Sequence, residues 1–186
     1  MFPTQGSYPL DNLLLMGVLH EAVTALSLVQ DIQGLWRDIV TNSRWLVTHE
    51  RMCILERHDD AWQVTAETIR GTSRPVDDRQ PFSCDLLATV SDARVARWLR
   101  AEVLADISSP EVREFLLASK AESFLAAPMR VKNHTLGILV YAVPNRLEET
   151  DLAMTACLGT IYAAYSGMCL SVLRLESHRG GADRKD

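Results

Sequence analysis

The spacing of apolar residues along this chain changes period several times. From Leu15 it runs in steps of four and three through Leu19, Ala22, Leu26 and Val29, which places these side chains on one narrow helical seam. Such a seam suits a partner helix. A second helical stretch begins near Asp31 and carries Leu35, Trp36, Ile39, Val40 and Leu46 on one face, with so little break that one long or gently kinked helix is predicted. The period then falls to two. Arg51–Arg57 is a compact apolar run bounded by charge, Trp62–Ile69 alternates, and His58-Asp59-Asp60-Ala61 between them supplies turn chemistry for a hairpin.

The middle of the chain is less regular. Gly71–Pro81 reads as a polar loop, and Phe82–Val90 as a strand or an irregular apolar segment. Ser91 or Asp92 can cap a short helix through about Glu102, with Val95, Trp98 and Leu99 opposite Arg94, Arg97 and Arg100. Ser109-Pro110-Glu111 starts a second short helix extending to about Lys120. From Ser123 to Tyr141, two strand-like runs flank the polar stretch Lys132-Asn133-His134-Thr135, so a second hairpin is expected. Gly137 in its second strand permits a bulge or the close approach of a neighbour. Pro144 and Asn145 end that strand, and Glu148, Glu149 and Asp151 place negative charge at the start of a long last helix. Ala156, Gly159, Ala163 and Ser166 form a row of small residues on it, continued by Leu170 and Leu173, which lets the helix lie close against a neighbour.

With 186 residues, 47% of them hydrophobic, the chain holds one full core rather than two. Residues 1–11 read as a flexible leader, 12–176 as a single domain and 177–186 as a disordered tail. The 19 basic and 24 acidic residues are interspersed, so no face suits nucleic acid. Apolar stretches such as Leu13–Leu19 fall short of the roughly 20 residues of a membrane span, and no basic segment precedes them. A cytoplasmic protein without membrane contact is expected. Cys53, Cys84, Cys157 and Cys169 lie far apart among apolar neighbours with no CxxC pair, the pattern of buried thiols rather than of a metal site.

Leu35-Trp-Arg-Asp-Ile-Val entering Glu50-Arg-Met-Cys-Ile-Leu-Glu, then Ser123-Phe-Leu-Ala-Ala-Pro-Met with Leu136-Gly-Ile-Leu-Val-Tyr, then Glu148-Glu-Thr-Asp-Leu, resemble the GAF domain in order and spacing. Pro128-Met129 before the turn and Gly137 after it carry the match best. The related PAS fold normally lacks so long a first helix and fits less well. The resemblance implies an α/β fold of the α+β kind. Its central antiparallel sheet would have the terminal helices on one face and short helices covering a small-molecule pocket on the other.

The resemblance also implies a non-catalytic sensory or regulatory module that dimerises through its terminal helices. The candidate interface is Leu15, Leu19, Ala22, Leu26, Val29, Leu170 and Leu173. The partners would be a second copy and a small molecule or signalling protein; a ligand-free docking scaffold is the alternative. For the pocket, Phe82, Trp98, Phe115, Phe124 and Tyr141 are the candidate aromatic lining, with Arg94 or Arg97 as the polar contact. The ligand and cofactor stay unassigned. The Asn-Lys-Phe-Asp-Glu set of cyclic-nucleotide-binding members is not found. The bilin-carrying Cys-His pair is missing from Glu111–Lys120. His49, His58 and His134 read as loop histidines rather than haem or metal ligands. Some members reduce free methionine sulfoxide with cysteines of the middle region. Only Cys84 lies there, and Asp85 beside it opposes a thiolate.

Overall fold

The computed structural model describes residues 8–69, 72–75, 81–100, 120–143 and 149–182. Within them the chain runs α1 (Tyr8–Ser27), α2 (Ile32–Ser43), β1 (Arg51–His58), β2 (Ala61–Ile69), β3 (Thr72–Pro75), α3 (Asp85–Asp92), β4 (Arg97–Arg100), β5 (Ser123–Val131), β6 (His134–Val143) and α4 (Glu149–Ala182). The strands form one antiparallel sheet in the order β3-β2-β1-β6-β5-β4. Helices α1, α2 and α4 pack together on one face, and α3 lies on the other against β5 and β6. This is the expected α+β architecture.

Strand alternation divides the core in two. Met52, Ile54, Leu125, Met129, Leu139, Tyr141 and Val143 face the three helices, while Cys53, Leu55, Phe124, Ala126, Ile138, Val140 and Ala142 face α3. Both faces are buried, so the central strands read as nearly continuous apolar runs. Two bulges interrupt the ladder, one at Ile54/Leu55 and one at Met129/Arg130. Beside the second, Gly137 fulfils its expected role: a Cβ there would stand 2.6 Å from the Leu55 carbonyl oxygen.

Several expectations change. The first helix is two helices, because Asp31 leaves the helical conformation and its carboxylate accepts from the Gly34 N–H at 2.6 Å, capping α2. Thr72–Pro75 is an edge strand on β2 rather than loop. Asp85–Asp92 is helical, so Ser91 and Asp92 end a helix instead of starting one. Arg97–Arg100 is a strand paired to Ser123–Ala126. Its Trp98 and Leu99 mimic a helical face in sequence, but pairing with β5 satisfies the backbone of this short edge segment. The second short helix falls outside the described residues.

At the ends, α1 already begins at Tyr8 and α4 continues to Ala182, where a loose leader and a disordered tail were expected. A helix anchored by packed turns propagates at one hydrogen bond per added residue, which carries it past its last core contact. By length and composition Asp151–Arg179 would also suit a membrane span. Here, however, Gly159, Ala163 and Ser166 on its inner face are pressed into the sheet and buried. The row of small residues thus has the close-packing role read from its spacing.

Candidate functional site

The seam predicted for dimerisation is consumed inside the chain. Leu19, Ala22, Leu26, Leu170 and Leu173 are buried in the helix-side core, with Leu15 and Val29 packed against it. An apolar a/d-type seam specifies a partner but not whose, and α1 finds it in its own α4 and α2. The free surface is the opposite side of α4. Met154, Cys157, Ile161, Ala164, Met168, Ser171 and Leu175 step along it by three and four, flanked by Tyr165 and Val172. Exposure is 44% at Met168, 52% at Val172 and 59% at Leu175, on a helix whose inner face rests on β5.

The candidate pocket residues are brought together only in part: Arg97 and Trp98 line one cleft beside Val90 and Leu99, and the others lie elsewhere. Phe124 is buried on the α3 face with Phe82 packed beside that cluster, and Phe82 exchanges backbone hydrogen bonds with Trp62 at 2.8 and 2.9 Å. Tyr141 and Trp98 belong to the opposite core, because the strand register puts both beside Leu125. A single wall cannot include Phe124 and Tyr141. Arg94 lies in the bend after α3 and Arg97 on the edge strand, both exposed, so the expected arginine row on a helix does not form. Phe115 lies outside the described residues.

The histidines separate as well. His49 Nδ1–H donates to the Val47 carbonyl at 2.6 Å, and its ring tilts against Tyr141 with 5.3 Å between centroids. Burial pulls its pKa below the ordinary histidine value against the raising effect of that hydrogen bond. His58 Nε2 stands 3.6 Å from Glu56, whose carboxylate also accepts from Arg174 of α4. That ion pair ties β1 to the last helix. Among the described residues no group of three His, Cys, Asp or Glu side chains is placed to hold a metal ion. Of the four cysteines read as buried thiols only Cys53 is buried; Cys84, which precedes α3, and Cys169 are half-buried, and Cys157 is exposed because it lies on the outer side of α4.

A polar site not singled out from sequence lies where the two hairpin turns meet the end of α3. The β1–β2 turn is Asp59-Asp60 and the β5–β6 turn Lys132-Asn133, each opening on a residue of positive φ, 52° at Asp59 and 55° at Lys132. Ser91 is buried between them. Its carbonyl accepts from Arg130 Nη1 at 2.6 Å and from Thr135 Oγ1 at 2.7 Å, while Arg57 Nη1 donates to its hydroxyl at 3.3 Å. Positive charge at the carbonyl end of a helix is electrostatically favourable, so Arg130 acts as a cap from another element. The cleft outside this cap encloses about 390 Å³ and is lined by Arg57, Asp59, Asp92, Arg130, Asn133 and His134 among others. Its sequence signal was Arg130, a lone charge inside the apolar run of β5.

No family model matches the chain, and no curated protein matches it. Solved structures do. The GAF domain of A. aeolicus nlh2 in an inactive state aligns with a TM-score of 0.63 at 12% identity, over 87% of this chain and 98% of that one. The GAF domain of a two-component sensor histidine kinase from Bacillus halodurans gives a TM-score of 0.59 at 16% identity, covering 80% and 99%. The GAF domain of the cyanobacteriochrome TePixJ gives 0.55 at 19% identity, covering 81% and 95%. The chain therefore has the GAF-like fold.

Proposed function

We propose, taking the GAF-like fold as premise, that this chain is a non-catalytic sensory module of the cytoplasm that works as a homodimer. The observation that carries the reading is the apolar stripe on the outer side of α4, spaced in threes and fours while the same helix rests on the sheet. Two copies that pair these stripes bury Met154, Met168, Val172 and Leu175, side chains that otherwise face water. A change on the α3 face then reaches the dimer through the sheet and the Glu56–Arg174 pair. A ligand preferring one arrangement of that face shifts the packing of α4 against its partner only by its differential affinity. The resemblance to sensor-kinase and cyanobacteriochrome GAF domains supports a signalling role.

The test is sedimentation equilibrium of the full chain. Wild type is expected to be a dimer, and Met168→Glu with Val172→Glu a monomer with an unchanged circular dichroism spectrum. On a Cys157→Ser background, which removes the exposed native thiol of the stripe, Leu175→Cys should form a disulfide-linked dimer on oxidation if the helices run parallel. A monomeric wild type ends the dimer reading, and Leu19→Glu should unfold the chain rather than separate it. A docking scaffold without a ligand would keep the dimer but show no saturable thermal shift with any small molecule.

A further inference from the structure

The cleft between the two hairpin turns and the end of α3 has an anchor with free bonding capacity. Arg130 is half-buried and held in place by Nη1 alone, which donates to the Ser91 carbonyl at 2.6 Å and reaches the Ala93 carbonyl at 3.4 Å. Its Nε and Nη2 have no hydrogen-bond partner among the described residues, and neither is among the buried polar atoms left unsatisfied. These two N–H groups point in parallel from one edge of the guanidinium, the edge that a carboxylate meets with two hydrogen bonds. Arg57 is committed differently. Its Nε donates to the Asp59 carbonyl at 2.9 Å, its Nη1 to Ser91 Oγ, and its Nη2 lies 3.8 Å from Asp60. Arg130 is thus the arginine available to a ligand.

The rest of the lining decides what kind of carboxylate fits. Asp59 and Asp92 face the same cleft, so its arginine and aspartate charges balance. The Asp92 carboxylate has no ion pair or hydrogen bond among the described residues, and the side chains of Asn133 and His134 have none either. A simple anion drawn to Arg130 would be opposed by both aspartates, and a simple cation by both arginines. A molecule carrying both charges a few bonds apart meets neither penalty.

We propose that this cleft binds a free α-amino acid, its carboxylate on the Nε–Nη2 edge of Arg130 and its ammonium group on Asp92. The volume of about 390 Å³ accommodates such a molecule with room for a side chain. The ligand leaves the Nη1 bonds to α3 intact and joins the end of α3 to β5. The Met129–Arg130 peptide of that strand is also where α4 packs. Binding therefore tightens α3 against the strand that supports the last helix.

The experiment is calorimetric titration and thermal shift of the full chain with the common amino acids one at a time, and with acetate, ethylamine and succinate as controls. At least one amino acid should bind saturably and raise the melting temperature, while acetate and ethylamine at equal concentration should not. Arg130→Lys keeps the charge but loses the paired N–H edge, and should weaken binding about tenfold or more. Should that variant fail to fold, Asp92→Asn decides: Asp92 is exposed at the end of α3, where losing a negative charge does not harm the helix, and the same weakening is expected. Absence of saturable binding by every amino acid, tighter binding of succinate, equal binding of acetate, or unchanged affinity in Asp92→Asn each overturns the proposal. A monomeric wild type would leave it standing, and failed binding would leave the dimer standing.

Discussion

Gly167 of α4 rests directly on Met129 of β5. A Cβ built on Gly167 would stand 3.0 Å from the Met129 carbonyl carbon and 3.3 Å from the Arg130 nitrogen. The peptide touched by the last helix on one face of the sheet therefore belongs to the residue whose guanidinium caps α3 on the other.

Two glycine substitutions should have opposite signs. Alanine is favoured over glycine inside a helix by about 1 kcal/mol. At Gly17 of α1 nothing lies within 4 Å of the added methyl, so Gly17→Ala should stabilise by up to that amount. Gly167→Ala meets backbone that cannot turn aside, and overpacking of this kind costs about 1–3 kcal/mol, enough to cancel or reverse the gain. Urea midpoints of the two variants measure this, and equal increases would show that α4 does not sit this close to β5.

The two buried tyrosines should also diverge. Tyr141 is fully buried with no partner for its hydroxyl among the described residues, and burial raises its pKa. Tyr141→Phe removes an unpaired polar group and should stabilise by about 1 kcal/mol. The Tyr162 hydroxyl instead lies 3.4 Å from the carbonyls of Asp38 and Ile39, linking α4 to α2. Tyr162→Phe should therefore cost up to about 1 kcal/mol, and thermal melts of the pair give the sign of each.

His49 makes stability pH-dependent in a defined direction. Its folded pKa lies below the ordinary histidine value of about 6.5, so between the two values the unfolded chain binds more protons. Stability from this group is complete above about pH 6.5 and declines as pH falls toward the folded pKa. With Nδ1–H held by Val47, protonation adds its proton at Nε2. His49→Gln should flatten the urea midpoint over that window; an unchanged slope would assign the pH dependence elsewhere.

Arg174 is expected to matter through the group it leaves behind. Glu56 is only 7% exposed on the face covered by α4, so Arg174→Ala strands a carboxylate there. Because Arg174 itself is partly open to solvent, the loss should be about 1–3 kcal/mol, below the value for a fully buried pair. Adding Glu56→Gln should recover part of it, and a double-mutant cycle with no coupling would remove the pair from the account of how β1 and α4 are joined.

Much of the sheet was legible in the chain. The runs Arg51–Arg57, Trp62–Ile69 and Ser123–Tyr141 became β1, β2 and the β5–β6 hairpin because period two and local turn chemistry act over a few residues. Asp31 is a weaker local signal: its carboxylate caps and starts α2, but it sits inside an apparently continuous helical period that hides the break. The arginines at 94, 97 and 100 show the reverse, since their helical spacing was real and carried no helix.

By itself the sequence determined the periods, the two hairpins, the close approach at Gly137 and the small-residue face of the last helix. Each follows from side-chain size and from which positions can be apolar at a given spacing. Only the tertiary structure decided which partner those faces meet. Leu19 and Leu26 turned inward and left Met168 and Val172 outside, Tyr141 and Phe124 went to opposite sides of one sheet, and Arg130 came to the end of α3. Burial is a property of the assembled layers, and a seam, a strand or a lone arginine carries no record of the neighbour that completes it.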